Sequence, residues 1–155
     1  MVQSTHMEKR LALAPYYILA AAFIGFGDTL YLSYYKFLGL VPTCAILHGC
    51  DQVLTSTYAT FYGVPLAYFG LVFYTYMIAF SLLLSIDPLS KGLRWGVMIY
   101  TSIGLLCSVV FETLQVFSIK ALCIYCATSA LITLILFILS MWHIKSSRSS
   151  VAALL

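Results

Sequence analysis

Charge is scarce in this sequence. Lys and Arg total 8 and Asp and Glu 5 among 155 residues, or 8%. Soluble domains carry roughly 25% charged residues, so an ordinary water-facing surface is excluded. Alternating polar and apolar stretches of about ten residues, the mark of membrane β-strands, are missing as well. In their place stands continuous hydrophobicity, with 63% apolar residues and a mean hydropathy of +1.01. Lipid is the solvent this chain is built for, and its length suits one domain.

A helix needs about 20 mostly apolar residues to cross a bilayer, and four runs qualify. They extend from about Leu11 to Ser33, from just after Pro65 to Ile86, from Trp95 to about Phe117, and from Ala121 to Ile144. The expected fold is an all-α integral membrane protein, a bundle of four transmembrane helices. The first run lacks an A-x-A-like cleavage site and exceeds a signal core of about 7–15 residues, so we expect a retained helix. Residues 1–6 read as an expression remnant before Met7, residues 7–146 as the four-helix domain, and 147–155 as a short tail.

Basic residues are unevenly shared between the two ends of such a bundle. Lys9, Arg10, Lys91, Arg94, Lys145 and Arg148 fall on the side of the termini, leaving only Lys36 and Lys120 opposite. Positive charge marks the cytoplasmic side. Both termini are therefore expected in the cytoplasm, with the long 34–64 loop and the 118–122 turn outside. Tyr31, Tyr34, Tyr35, Phe61, Tyr62 and Phe117 would mark the outer interface, and Trp95 and Trp142 the inner one. The net charge of +3 thus reports topology, and no nucleic-acid partner is expected.

The five cysteines are Cys44, Cys50, Cys107, Cys123 and Cys126. Cys107 lies midway along the third run and is expected to be a small buried apolar residue. The other four fall at the outer end, in the compartment where disulfides persist. They could form a zinc site, although C-x5-C is loose for a metal knuckle. They could form two inert bridges, although a C-x-x-C bridge tends to be labile. The third reading is a relay, in which electrons pass between thiol pairs through mixed disulfides. One loop pair and one helix-anchored pair suit that reading. The first turn of a helix also offers free N–H groups and a partial positive charge, which favour the thiolate. Cys126, a turn further into the lipid than Cys123, could meet a hydrophobic acceptor such as a quinone.

Taken together, Cys44-x5-Cys50, Ser56 six residues after Cys50, the segment "STYATFYGVPLAYFG" and the C-x-x-C opening the last helix resemble the vitamin K epoxide reductase family, especially its bacterial and archaeal members. The resemblance runs from about Leu11 to Ile144. It implies that Cys123 and Cys126 form the active-site pair, with Cys126 facing the quinone, and that Cys44 and Cys50 are the loop shuttle. Cys50 would exchange with Cys123, and Cys44 with an external thioredoxin-like, DsbA-like protein. Ser56, on a short half-helix over the pocket, would donate a hydrogen bond to a quinone oxygen. The implied role is a quinone-dependent thiol oxidoreductase of the inner membrane that drives disulfide formation outside the cytoplasm. Its acceptor would be a menaquinone, a ubiquinone or a vitamin K type quinone. The DsbB oxidases do similar work but carry their C-x-x-C in the first loop.

Departures bear on the alternatives. Vertebrate members have a longer first loop and a tyrosine four residues beyond the C-x-x-C, where this chain has Ala130. Vitamin K epoxide reduction of the vertebrate type is one alternative, and a non-catalytic tetraspan protein stapled by two disulfides is another. Some relatives fuse a thioredoxin-like domain after the last helix, whereas here a separate protein partner is expected. Asp28 and Glu112 could relay protons, but we expect both at the interface, hydrated or bonded to loop backbone. His48 is expected to be solvated, and Gly63 with Pro65 to turn the chain into the second helix.

Overall fold

The computed structural model describes the backbone of residues 2–42 and 49–152, and the side chains of 13–42 and 49–146. Helix α1 runs Val2–Phe37 and is followed, after a loop, by the half-helix α2, Cys50–Thr55. A single 3-10 turn (Thr57–Ala59) leads into a two-stranded antiparallel hairpin, β1 (Thr60–Phe61) and β2 (Val64–Pro65). The long helices α3 (Leu66–Ile86) and α4 (Lys91–Leu114) follow, then a π-helical segment Gln115–Ile119 and α5, Ile124–Ala152. The first helix begins before the Leu11 expected from hydropathy, and the last continues beyond the expected Ile144.

Four helices are long and apolar enough to cross a membrane. They cover Leu13–Phe37, Leu66–Ile86, Lys91–Ile119 and Ile124–Ser146, with mean hydropathies of 1.3, 2.0, 1.8 and 2.2. Even the shortest, 21 residues, is about 31 Å long at 1.5 Å per residue, enough for the hydrocarbon core. Helices satisfy their own backbone groups, which lipid cannot do. Side chains such as Phe23, Ile24, Leu106 and Val109 are exposed on the outer faces, an arrangement that lipid rather than water would tolerate. The chain is a multi-pass membrane protein with a four-helix bundle.

The interior is built around Ile18, Ala22, Tyr74, Met77, Leu84, Val97, Ile132 and Leu136. Helix α1 packs along α3 and α5, and α5 packs along α4. Close approach of α1 and α3 depends on Gly25, because a Cβ there would run into the Tyr74 ring. Small residues at such crossings are a recurring device where lipid removes the hydrophobic drive for helix association. The Tyr74 hydroxyl in turn bridges to α5, 2.9 Å from the Ser129 carbonyl and 3.2 Å from Thr133 Oγ1. Contact between α3 and α4 is sparser, and a cavity opens along that seam.

The connection into α3 forms as expected. Tyr62 and Gly63 both take positive φ (51° and 80°) at the hairpin tip, and Pro65 precedes the first residue of α3. Glycine adopts that geometry freely. The hairpin and α2 together cap the end of the bundle where α5 begins.

Candidate active site

The half-helix and the start of α5 meet in one buried cluster of Cys50, Val53 and Cys123, against which Leu54, Ile119, Ala121, Ile124, Tyr125 and Cys126 pack. Cys50 is 1% exposed and Cys123 is 0% exposed, so exchange between them would be shielded from water. Cys50 is disulfide-bonded, whereas Cys123 and Cys126 are free thiols. Cys44 and His48 lie outside the described residues. From α1, Lys36 Nζ donates to the Leu54 carbonyl at 3.4 Å, tying the half-helix down.

What holds Cys123 is a tight reversal between α4 and α5. The chain widens into the π-helical segment, and Lys120 takes a left-handed conformation (φ 57°) that ends it. The Ala121 N–H donates back to the Gln115 carbonyl at 3.2 Å. The Gln115 side chain is 3% exposed, and its Oε1 accepts the Cys123 N–H at 2.9 Å. Its Nε2 donates to Glu112 Oε1 at 3.3 Å. One amide thus joins a carboxylate of α4 to the peptide that carries the first sulfur of the C-x-x-C.

Cys123 occupies the N-cap of α5, because its carbonyl accepts the Ala127 N–H at 3.0 Å, the first bond of the helix. N-cap side chains accept from the second or third helical N–H. Here the sulfur plays that part. Its thiol is lowered from 9.0 to about 7, first by the S–H of Cys126, then by the backbone N–H groups of Cys126 and Tyr125, against the burial that raises it. The lowering at Cys123 thus comes first from the neighbouring thiol, with the free N–H groups of the helix start behind it.

Cys126 sits in the first turn, on the wall of a cavity of about 440 Å³, within the range of small-molecule sites. The lining is mostly apolar, with residues such as Leu66, Phe69 and Phe111 and a few polar groups, among them Ser56, Glu112 and Gln115. Ser56 therefore reaches the expected place. Its hydroxyl donates to the Val53 carbonyl at 2.7 Å, so its proton closes the half-helix rather than being offered to the cavity. Ala130 lines the same wall.

Three expectations need correction. Cys107 is exposed and lines the cavity, because the sparse packing of α3 on α4 leaves its face of α4 uncovered. Glu112 bonds the Gln115 side chain rather than loop backbone. Asp28 lies nine residues before the end of α1 at Phe37, roughly 14 Å along the axis, and its Oδ2 is buried without a hydrogen-bond partner among the described residues. It belongs to the interior, not to a hydrated interface. Gln115 escaped the sequence reading altogether. Its only signal was an amide at membrane depth, eight residues before Cys123.

Two comparisons with known proteins bear on this arrangement. The model of the vitamin K epoxide reductase family matches residues 16–141. Thiol-disulfide oxidoreductase LTO1 of Arabidopsis thaliana is 36% identical over 127 residues, which cover 76% of this chain and 33% of that protein. The chain thus spans about a third of the length of that relative. With the family model matching most of its length, the chain belongs to the vitamin K epoxide reductase family.

Proposed function

We propose that this protein is a membrane thiol oxidoreductase that passes electrons from an external dithiol protein to a quinone. The observation that carries the proposal is the continuity of the site. A disulfide-bonded Cys50 and a thiol Cys123 share one buried cluster, while Cys126 lines an apolar cavity opening along the α3–α4 seam. The relative from Arabidopsis thaliana, named a thiol-disulfide oxidoreductase, supports the thiol chemistry. The basic residues, six to two in favour of the end with the termini, support an extracytoplasmic site.

The steps balance as thiol–disulfide exchange. A dithiol protein reduces the Cys44–Cys50 disulfide and leaves as a disulfide. The Cys50 thiolate attacks Cys123 of an oxidised C-x-x-C, forming a Cys50–Cys123 bond and releasing Cys126 as the leaving sulfur. Cys44 then attacks Cys50, the loop disulfide returns, and Cys123 departs with the electron pair. That departure leaves Cys50 bridged and the C-x-x-C reduced, the pattern of the structure. A quinone in the cavity would accept two electrons and two protons. Cys126 would face it, Ser56 would contact it after rotating its hydroxyl away from Val53, and Glu112 and Gln115 would form the polar rim.

The test is quinone reduction by the purified protein with reduced thioredoxin as donor and menadione as acceptor. Turnover that is lost in Cys126→Ala, together with a trapped Cys50–Cys123 bridge in that variant, is the expected result. Turnover that survives Cys126→Ala sinks the mechanism. Reduction of vitamin K epoxide at a comparable rate would shift the assignment to the vertebrate-type activity.

A further inference from the structure

The two cysteine pairs meet through a glycine. Gly49 directly precedes Cys50, and the residues it rests on, Ala121 and Leu122, directly precede Cys123. A Cβ placed on Gly49 would lie 2.8 Å from the Leu122 carbonyl oxygen, 2.9 Å from the Leu122 nitrogen and 2.9 Å from the Ala121 Cβ. Carbon atoms in ordinary contact lie about 3.5–4.0 Å apart, so all three approaches are too close for any side chain. The backbone of Gly49 is φ −108°, ψ 1°, which other residues adopt without strain. Glycine is therefore needed here for the missing Cβ alone and not for its conformational freedom.

Neither partner in this contact can yield cheaply. The 121–123 segment is fastened at both ends to Gln115, through the Ala121 N–H and the Cys123 N–H. On the other side, the Gly49 carbonyl accepts the Val53 N–H at 3.0 Å, so Gly49 caps α2 and moves with it. Any retreat of Gly49 carries Cys50 away from Cys123.

We propose that Gly49 is a positioning residue for exchange between the loop pair and the helix pair. Its absent side chain sets how closely Cys50 approaches Cys123. This rests on the relay reading above. In the step concerned, the Cys50 sulfur bonds to the Cys123 sulfur, the Cys123–Cys126 bond breaks, and the electron pair leaves on Cys126. Attack on a disulfide requires near-contact alignment, and a displacement of about 1 Å can cost on the order of a hundredfold. Gly49→Ala forces a retreat of roughly 0.7 Å to restore ordinary contact. Exchange should slow by about tenfold to a hundredfold.

The experiment separates the half-reactions in the full chain. Fully oxidised protein is mixed with reduced thioredoxin, quenched with an alkylating reagent, and the state of each pair is followed in time. In Gly49→Ala, reduction of the loop disulfide should stay within about twofold of the unsubstituted rate, while passage to Cys123–Cys126 slows at least tenfold. Direct reduction of Cys123–Cys126 by dithiothreitol, and onward reduction of menadione, should also stay within about twofold. Ala121→Val presses on the same gap from the opposite side and should reproduce this split, which keeps the proposal open to refutation if Gly49→Ala fails to fold. Unchanged passage between the pairs in both variants, or an equal loss in the dithiothreitol reaction, overturns the role of Gly49. Thioredoxin-driven menadione reduction that persists in Cys50→Ala would overturn the relay itself, independently of Gly49.

Discussion

Cys123 should ionise near neutrality, and deleting the Cys126 thiol should move that ionisation upward. The lowering from 9.0 to about 7 comes first from the Cys126 S–H, with the Cys126 and Tyr125 N–H groups behind it. At pH 7 a thiol with that midpoint is about half thiolate, against roughly 1% for one at 9.0. The reactive form thus gains roughly 50-fold. Nucleophilicity falls with acidity along a Brønsted slope of about 0.4–0.5, which takes back roughly eightfold over two units. About a sixfold advantage remains for attack, and Cys123 is also the better leaving group. The assay follows thiolate absorbance during a pH titration of protein whose C-x-x-C is reduced and whose loop disulfide is intact, with Cys107→Ala to silence the third free thiol. Because the value is lowered, thiolate is present above the midpoint and is lost as pH falls through about 7. In Cys126→Ala the midpoint should rise, since the largest stabilising donor is gone and burial then opposes the two N–H donors that remain. A first thiolate forming only near 9, or a midpoint indifferent to Cys126→Ala, would refute the assignment of cause.

Four further outcomes follow from the same contacts. Gln115→Met leaves the Cys123 N–H buried without an acceptor, a loss of about 1–3 kcal/mol, so the thermal midpoint in detergent should fall by several degrees. Gln115→Glu keeps the acceptor but sets a second carboxylate against Glu112, and lowering the pH should restore its stability. Tyr74→Phe should cost less, about 1 kcal/mol, because the Ser129 carbonyl keeps its bond from Thr133 at 2.9 Å; calorimetry or a thermal shift checks it. Ala130→Phe intrudes on the cavity and should slow menadione reduction at least tenfold, on the order of 1.4 kcal/mol in the barrier, while sparing exchange between the cysteine pairs.

The spans were legible because lipid imposes a constraint readable in one dimension: each crossing needs an unbroken apolar run. The cysteines were legible because a C-x-x-C at a helix start carries its chemistry in its spacing. What escaped was whatever works through backbone or through helix phase. Gln115 acts by accepting one N–H, and Gly49 by lacking a Cβ. Neither leaves a compositional trace beyond an amide or a glycine in the right place. Cys107 and Asp28 were misplaced because their burial depends on how tightly α3 meets α4 and on how deep position 28 sits in α1. Periodicity gives an apolar run its length but not the neighbour that covers each face. Ser56 shows the same limit at atomic scale, since the family resemblance pointed to the cavity but could not show that its proton is held by Val53.

The position of the acidic sulfur argues for a direction of electron flow. Of the two helix cysteines, Cys123 is the one whose anion is stabilised, by three donors at the N-cap, and it is also the one packed with Cys50. Stabilising the anion of a reduced pair makes its disulfide the stronger oxidant, as in the most oxidising dithiol proteins. In the proposed relay, the C-x-x-C disulfide would therefore draw electrons from the loop, and the mixed disulfide would resolve by expelling Cys123 rather than Cys50. Cys126, whose S–H stabilises the anion, lies on the cavity wall, so the donor that makes Cys123 a good leaving group is itself a sulfur of the proposed quinone site. Oxidation at Cys126 would remove that donor and end the stabilisation, resetting the pair to accept electrons again.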